Sequence, residues 1–454
     1  WNMKTYNLNF SNFVFLLISI STLYILIYNT LHYNPILGYD AEAHFGYVDY
    51  FSRYLPNEFR LPSENDTREF FNPPLGYLVP SLAQVICRNI IDSNNFLVEC
   101  QPIYGKVSQI FQSFMYIATI SINLYTLKLF NKSNSFVNAG YLLIISLFAA
   151  NYRTFSMIRG EPYILFFLSL FLFIIYKAES TDYVLNLKLV FSAGVIISCI
   201  ALSRQWGFLL FFPLVFLLFF RHKKKQYFKF WLFSSTIGAL FSSWFYIGLY
   251  QKYGTFTAFN MKSEGFSFSN QKLSFYIPNI ESLEYLFTKP IRPNLDNQFF
   301  SILYSDLWGD YWGYFVFTSR HLDIGRNQLL IGDYLARVNV ISVITSLIII
   351  SFYFLVLQKY KSNFFIKYLN TAVIFSLVGY LLFAISFPTS SGDSIKSTYI
   401  IQAFHLMAFI ASIYFYNLKK TNKKLYNLLL STLVIIYFHN FQSYLSHYPY
   451  NFLP

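Results

Sequence analysis

Long apolar runs recur along the whole chain, separated by short polar connectors. Runs of about 17 to 25 residues have the length that a helix needs to cross the hydrocarbon core of a bilayer. The pattern predicts about eleven transmembrane helices, and therefore an all-α polytopic membrane protein with a single integral membrane domain over residues 1–454. The expected spans lie near 13–29, 107–130, 136–151, 162–177, 186–203, 205–220, 229–250, 338–358, 367–387, 398–417 and 424–440.

Two of the segments between the expected spans are long, namely 30–106 and 251–337. The first contains two stretches with the apolar pattern of helices, 40–54 and 75–91. We expect both to be amphipathic helices that lie on the membrane surface, because a further span at 75–91 would invert the charge pattern of every later connector.

Composition and charge fit the same class. Of the 454 residues, 55% are hydrophobic, 22% aromatic and 12% charged, which is more apolar surface than a soluble core of this size needs. The formal net charge of +13 could indicate nucleic-acid binding, but the basic residues cluster in short connectors, as positive-inside signals do. We therefore expect a cytoplasmic amino terminus, both long segments on the outer side, and no nucleic-acid partner. The clustered residues are Arg221, Lys223, Lys224, Lys225, Lys229, Lys359, Lys361, Lys367, Lys419, Lys420, Lys423 and Lys424.

The cysteines and the absence of known binding motifs limit the disulfides and cofactors that the chain can be expected to contain. Cys87 and Cys100 fall in the first long segment, where a disulfide forms if the compartment is oxidising, and free thiols are the alternative. The sequence has no Gly-rich phosphate loop, no dinucleotide fingerprint and no Cys/His zinc spacing. No firmly bound cofactor is therefore expected.

The densest group of ionisable residues follows the first span, in the sequence GYDAEAHFG at 38–46. Asp40 and His44 are four residues apart and share one face of a helix, whereas Glu42 points elsewhere. Two carboxylates beside an imidazole can supply a base with a tuned pKa or bind a metal ion. The structural alternative is a solvated helix whose acids interact favourably with its amino-terminal dipole.

Further ionisable residues stand at expected membrane boundaries, where charges are costly and often functional. Glu161 and Arg159 lie between the third and fourth spans, and their alternative role is a simple ion pair at a helix terminus. Arg204 lies between two apolar runs, beside Trp206. Arg204 could hold a lipid phosphate, or it could extend towards the interface beside an anchoring tryptophan.

An aromatic and acidic segment, SDLWGDYW at 305–312, closes the second long segment. Aromatic faces flanked by carboxylates suit stacking against a sugar ring. Trp308 and Asp310 are therefore candidate sugar contacts. Aromatic residues at a membrane interface are also ordinary anchors, which is the alternative.

Two sequence motifs of the first long segment resemble those of a known family. YDAEAHFGY at 39–47 resembles the Asp-Glu-x-His-Phe-Gly motif in the first luminal loop of protein O-mannosyltransferases (glycosyltransferase family 39) and their bacterial relatives. FNPPLG at 71–76 resembles the His-Pro-Pro-Leu-Gly element that follows in that loop. The chain departs from the family because Asp40 and Glu42 are not adjacent and Asn72 replaces the histidine. The split acidic pair also resembles other polyprenyl-phosphate-sugar transferases, including aminoarabinose transferases.

The resemblance implies a GT-C fold and roles for the acidic residues. With the His-Phe-Gly segments aligned, Glu42 matches the family's glutamate and Asp40 is displaced by one position. Either carboxylate could therefore be the catalytic base. Glu161 matches the acidic residue of the second outer loop, which joins the first motif at the sugar or at a metal ion. A divalent ion at Asp40, Glu42 and Glu161 is an open alternative.

The resemblance also extends to the carrier phosphate. Lys396 and Tyr399 resemble the late Lys/Arg-x-x-Tyr element that reaches this phosphate. The expected substrate-binding residues are His44, Asn72, Arg159, Arg204, Trp308, Asp310, Lys396 and Tyr399.

The implied activity is transfer of a sugar from a polyprenyl-phosphate carrier to an acceptor hydroxyl, with inversion of the anomeric centre. The acceptor could be a protein, a lipid or a polysaccharide. The expected location is a bacterial plasma membrane, with the active site on the periplasmic side. The alternative is a glycolipid transporter or flippase, although transporters usually place ionisable residues near the bilayer midplane in broken helices.

Overall fold

A computed structural model describes residues 9–35, 37–55, 57–91, 96–221, 224–316 and 326–446, so Lys223 and part of the segment 251–337 lie outside the described residues. Regular structure in these ranges is helical, without a β-strand. The helices are α1 Phe10–His32, α2 Ala41–Tyr54, α3 Leu75–Ile90, α4 Phe96–Phe130, α5 Ala139–Ser146, α6 Ala149–Ser156, α7 Glu161–Ser180, α8 Leu187–Ser203, α9 Phe212–Leu218, α10 Lys224–Tyr253, α11 Leu273–Tyr276, α12 Ile280–Thr288, α13 Phe299–Trp308, α14 Arg326–Lys359, α15 Phe364–Ser386, α16 Ile401–Thr421 and α17 Lys423–His439. Short 3₁₀ turns lie at Gln205–Leu210, Phe268–Asn270, Ser397–Ile400 and Phe441–Tyr444.

Seven helices of the described residues are long and apolar enough to cross a membrane. This number indicates a multi-pass membrane protein. The candidate spans are Phe10–His32, Glu99–Phe130, Glu161–Ser180, Lys224–Tyr253, Ile331–Lys359, Phe364–Ser386 and Ser397–Thr421.

Four of the predicted spans correspond to shorter helices, so the count of eleven is not confirmed. The run 136–151 is divided between α5 and α6, and every residue of these two helices is buried. An apolar helix enclosed by protein has the same composition as one enclosed by lipid, which is why the sequence does not separate the two cases. The other three runs are α8, the 3₁₀ turn with α9, and α17.

Local sequence explains where many of the helices begin. Asparagine side chains accept a hydrogen bond from the first turn of α1, α5, α8, α12, α15 and α17, which satisfies backbone N–H groups that have no partner within the helix. Pro162 stands in the first turn of α7, where its missing N–H costs no hydrogen bond.

The two ends of the bundle differ in chemistry. At one end, which we call the site end, α1 and α8 finish and α7 and α16 begin, and side chains from these connections contact one another. At the opposite end α14 and α16 finish, with Lys359, Lys419 and Lys420 in their last turns. The ionisable residues that the sequence singled out therefore lie at the end opposite these lysines.

The two helices expected in the first long segment are present as α2 and α3. They pack against each other, and α3 packs against α4. A disulfide joins Cys87 on α3 to Cys100 on α4, which resolves the alternative that the sequence left open. This part of the chain is therefore attached covalently and by packing to the site end of the bundle.

Candidate functional site

Asp40 owes its position to an unusual backbone conformation. It precedes α2 with a φ of 54°, in the left-handed region that aspartate tolerates better than most residues. Its side chain makes no cap to α2. Its Oδ2 accepts a hydrogen bond from Lys396 Nζ at 3.0 Å, and its Oδ1 lies 3.9 Å from the guanidinium of Arg68. The lysine charge lowers the pKa of the Asp40 carboxyl well below its ordinary value, against the opposing effect of burial.

Lys396 is buried between two tyrosine rings. Its Nζ lies 5.0 Å from the ring centre of Tyr39 and 5.3 Å from that of Tyr399, and it donates to the Tyr399 hydroxyl at 3.3 Å. Its backbone N–H donates to the Tyr380 hydroxyl at 2.6 Å. Burial alone would lower the pKa of Lys396, but Tyr399 and Asp40 together raise it, so the amine stays charged.

Glu161 is buried between two arginines. Its Oε2 accepts from Arg159 Nε at 2.8 Å, and its Oε1 accepts from Arg204 Nε at 3.0 Å. The chain approaches closely here, because a Cβ on Gly160 would stand 2.1 Å from the carbonyl oxygen of Ser203. Only a glycine lets the start of α7 reach the end of α8.

Arg204 extends this ion pair to the first long segment. Its NH1 donates to Asn72 Oδ1 and lies 3.6 Å from Glu69 Oε2. Asn72 also donates to Glu69 Oε2 and to the Tyr77 hydroxyl. Asn72 therefore bridges a carboxylate and a guanidinium.

His44 lies behind this group, on the buried face of α2. Its Nδ1 is 2.7 Å from the Tyr77 hydroxyl and 3.9 Å from Glu69 Oε2. Burial is the largest influence on its pKa and, despite the opposing effect of Glu69, lowers it to about 4. His44 is thus a neutral hydrogen-bonding residue near pH 7.

A cavity of about 290 Å³ lies beside this group of side chains, but His44, Asn72, Arg159 and Glu161 are not part of its wall. Trp206 adds an aromatic face, with its ring centre 5.7 Å from that of Tyr399. The charged or hydroxyl-bearing residues on its wall include Asp40, Arg68, Glu69, Arg204, Lys396 and Tyr399. Three cations (Arg68, Arg204, Lys396), three carboxylates (Asp40, Glu69, Asp393) and four aromatic rings (Phe71, Trp206, Phe259, Tyr399) therefore face one small space.

Glu42 does not belong to this wall. Its side chain is exposed on α2, and the described part of the chain offers it no hydrogen bond or ion pair. The reason is helix geometry, because a residue two positions from Asp40 points to a different face. Of the two carboxylates that the sequence left open as the base, only Asp40 lies at the cavity.

Trp308 and Asp310, which the sequence offered as candidate sugar contacts, also lie away from the cavity. Trp308 is buried against the rings of Phe148 and Tyr304. Asp310 is buried beside Arg153, 3.4 Å from its NH1, and accepts the backbone N–H groups of residues 315 and 316. Burial raises the pKa of Asp310. Trp308 therefore packs in the protein interior, and Asp310 is paired with internal donors.

The acidic residues do not converge as a metal site among the described residues, where no group of three or more His, Cys, Asp or Glu side chains could hold an ion. Asp40 and Glu161 are paired with Lys396 and Arg204 instead.

Sequence reasoning missed four residues that shape the site, namely Arg68, Glu69, Trp206 and Asp306. Glu69 stands three positions before Asn72, so its nearness to the second motif was the available signal. Asp306 lies within the segment 305–312, but nothing in that segment distinguished it from Asp310.

Comparison of the chain with family models, with curated proteins and with solved structures gave no match.

Proposed function

We propose that the chain is a membrane glycosyltransferase that moves a sugar from a polyprenyl-phosphate carrier to an acceptor hydroxyl. The observation that carries this proposal is the cavity at the site end, where the Asp40 carboxylate is paired with Lys396 and Arg204 lies on the same wall. A phosphate needs cations and an acceptor hydroxyl needs a base, and this cavity offers both within a few ångströms.

The cations suit the leaving phosphate. Lys396 and Arg204 are buried and already paired, so a carrier phosphate would enter a site whose donors are held in place. Arg68 is exposed at the cavity and could follow the ligand. Glu161, held between Arg159 and Arg204, would orient Arg204 without meeting the acceptor.

Asp40 is suited to the role of catalytic base because it is paired with Lys396, the lysine that would also bind the phosphate. In the free site Lys396 stabilises the charged carboxylate and makes it a weak base. The donor is a phosphodiester with one negative charge, and this charge at Lys396 would partly offset the effect of the lysine, raise the pKa of Asp40 and increase its basicity. The acceptor oxygen would then attack the anomeric carbon, its proton would pass to Asp40, and the bond to the phosphate oxygen would break with its electron pair. A single displacement inverts the anomeric centre.

The aromatic pair Trp206 and Tyr399 supplies faces for the sugar ring, in place of Trp308. Purified protein should be assayed for transfer from a panel of polyprenyl-phosphate hexoses and pentoses to lipid, peptide and polysaccharide acceptors. Products are separated by mass, and their anomeric configuration is read by NMR.

The decisive variants in this assay are Asp40→Asn, Glu42→Gln and, as a matched exposed carboxylate of the same segment, Glu58→Gln. Loss of the base should lower the transfer rate of Asp40→Asn roughly 100-fold or more, whereas Glu42→Gln and Glu58→Gln should keep it. Equal rates in Asp40→Asn and the wild type would contradict the mechanism, and a large loss in Glu42→Gln alone would move the base to Glu42.

A glycolipid transporter is the second candidate, and the break between α5 and α6 favours it, because transporters often use interrupted helices. It predicts translocation of a labelled glycolipid across proteoliposomes without a transferred product. The same lipids serve both assays, so the two functions are separated in one preparation.

A further inference from the structure

Asp306 is a buried carboxylate that the proposed chemistry does not use. It lies in the last turn of α13, its side chain is fully buried, and it is not on the cavity wall. A buried charge is costly unless cations and hydrogen-bond donors surround it. The residues that pair with Asp306 therefore indicate the role of this buried carboxylate.

Three separate parts of the chain meet at this carboxylate. Oδ1 accepts a hydrogen bond from the Tyr39 hydroxyl at 3.0 Å and lies 3.0 Å from Arg153 NH2. Oδ2 accepts from the backbone N–H of Ser397 at 2.7 Å and from its Oγ at 2.6 Å. Arg153 NH2 also donates to that same Oγ at 3.2 Å, which closes the network.

The residues held in this way are the immediate neighbours of the reacting pair. Tyr39 directly precedes Asp40, and Ser397 directly follows Lys396. The backbone N–H of Ser397 belongs to the rigid peptide that joins it to Lys396, so its hydrogen bond holds that peptide in place. The hydrogen bond of the Tyr39 hydroxyl restrains the side chain next to Asp40. One carboxylate thus links two chain segments that are far apart in sequence.

We propose that Asp306 is a positioning residue, which holds Tyr39 and Ser397 so that Asp40 and Lys396 meet on the cavity wall. The role of that pair in sugar transfer rests on the function proposed above, whereas its alignment by Asp306 does not. Asparagine is isosteric, but it would present an NH₂ group to a donor and leave Arg153 without its full counter-charge, so Asp306→Asn tests the carboxylate itself.

The first test measures alignment without any sugar transfer. Cysteines replace Asp40 and Lys396 in a Cys199→Ser background, in which the remaining cysteines Cys87 and Cys100 form the disulfide. A short bis-methanethiosulfonate then cross-links positions 40 and 396. We expect the cross-linking rate to fall about tenfold when Asp306→Asn is added, because the two thiols lose their fixed approach.

The matched control is Asn339→Ala. Asn339 is also buried against α13, where it donates to Ser305 Oγ and to a backbone oxygen, but it does not contact Tyr39 or Ser397. Asn339→Ala should leave cross-linking unchanged. An unchanged rate in Asp306→Asn, or an equal fall in Asn339→Ala, would overturn the positioning role.

The second test is a double-mutant cycle on the transfer rate. Tyr39→Phe removes one hydrogen bond to Asp306 and should slow transfer severalfold in the wild type, but have no further effect in Asp306→Asn. A purely structural role gives additive losses and contradicts the proposal. If Asp306→Asn does not fold, Ser397→Ala takes its place, since it removes only the hydroxyl donor. If no donor supports transfer by the wild type, the proposed function fails while the cross-linking result still stands.

Discussion

Individual charges at the cavity are held by partners from distant parts of the chain. Asp40 meets Lys396 across a separation of 356 residues, and Arg204 meets Asn72 across 132. Each buried cation has a carboxylate within reach, as the low dielectric of a buried site requires. Removal of one member therefore leaves its partner uncompensated, and the effect extends beyond the lost contact.

Acid should lower the free energy of unfolding through protonation of His44. Its pKa in the folded protein is about 4, below the ordinary value of 6.5, so the unfolded chain takes up the proton first as the pH falls. The contribution of His44 to the free energy of unfolding is constant above pH 6.5 and declines between pH 6.5 and 4, by on the order of 3 kcal/mol.

Thermal unfolding of the detergent-solubilised protein at pH 7.5 and pH 4.5 measures this decline. The midpoint of the wild type should fall on acidification, and His44→Gln, which cannot titrate, should show a smaller fall. Equal falls in both proteins would show that other groups control acid stability.

Short elements, more than long spans, shape the site end. The turn between α6 and α7 carries Arg159, Gly160 and Glu161, and it fits against both the start of α3 and the end of α8. A Cβ on Gly76 would stand 2.9 Å from the Cα of Gly160. Two glycines therefore let three helix termini meet, and the charged side chains beside them converge as a result.

Gly160→Ala should separate these termini. The added Cβ would overlap the carbonyl oxygen of Ser203, and backbone displacement of this kind typically costs about 1–3 kcal/mol. We expect a lower thermal midpoint together with slower sugar transfer, because Arg204 moves with the end of α8.

The matched substitution is Gly248→Ala on α10, where a Cβ meets nothing within 4 Å. Alanine favours a helix over glycine, so this variant should be as stable as the wild type or slightly more so. Similar loss of stability in both variants would refute the close-approach explanation.

The two ends of the whole molecule differ in chemistry. The cavity lies at one end, and the lysine clusters that contain Lys359 and Lys419 lie at the other. The positive-inside rule predicts that the lysine end is cytoplasmic. In a Cys199→Ser background, cysteines at exposed positions 58 and 421 should react oppositely with a membrane-impermeant maleimide. Position 58 should label in intact cells that express the protein, and position 421 only after permeabilisation. Labelling of both from one side would overturn the two-ended arrangement.

The amino-acid sequence alone determined the membrane class, the approximate positions of the helices and some of the candidate-site residues. Apolar length and the location of lysines are local properties, and they hold whatever the packing. Asp40, Glu161 and Arg204 were identified because ionisable residues beside apolar runs are few, whereas Asn72 and Lys396 were identified through the resemblance of their motifs.

Only the tertiary structure decided which apolar helices are enclosed by protein and which carboxylate faces the cations. The run 136–151 became two buried helices, α5 and α6, because neighbouring helices cover it. Asp40 itself has a left-handed backbone conformation just before α2, and its side chain therefore points away from the helix and contacts Lys396. Glu42 lies within α2 and does not. Asp306 acquired its partners from residues 39, 153 and 397. Such long-range contacts depend on how distant segments pack, and no local pattern in the sequence encodes them.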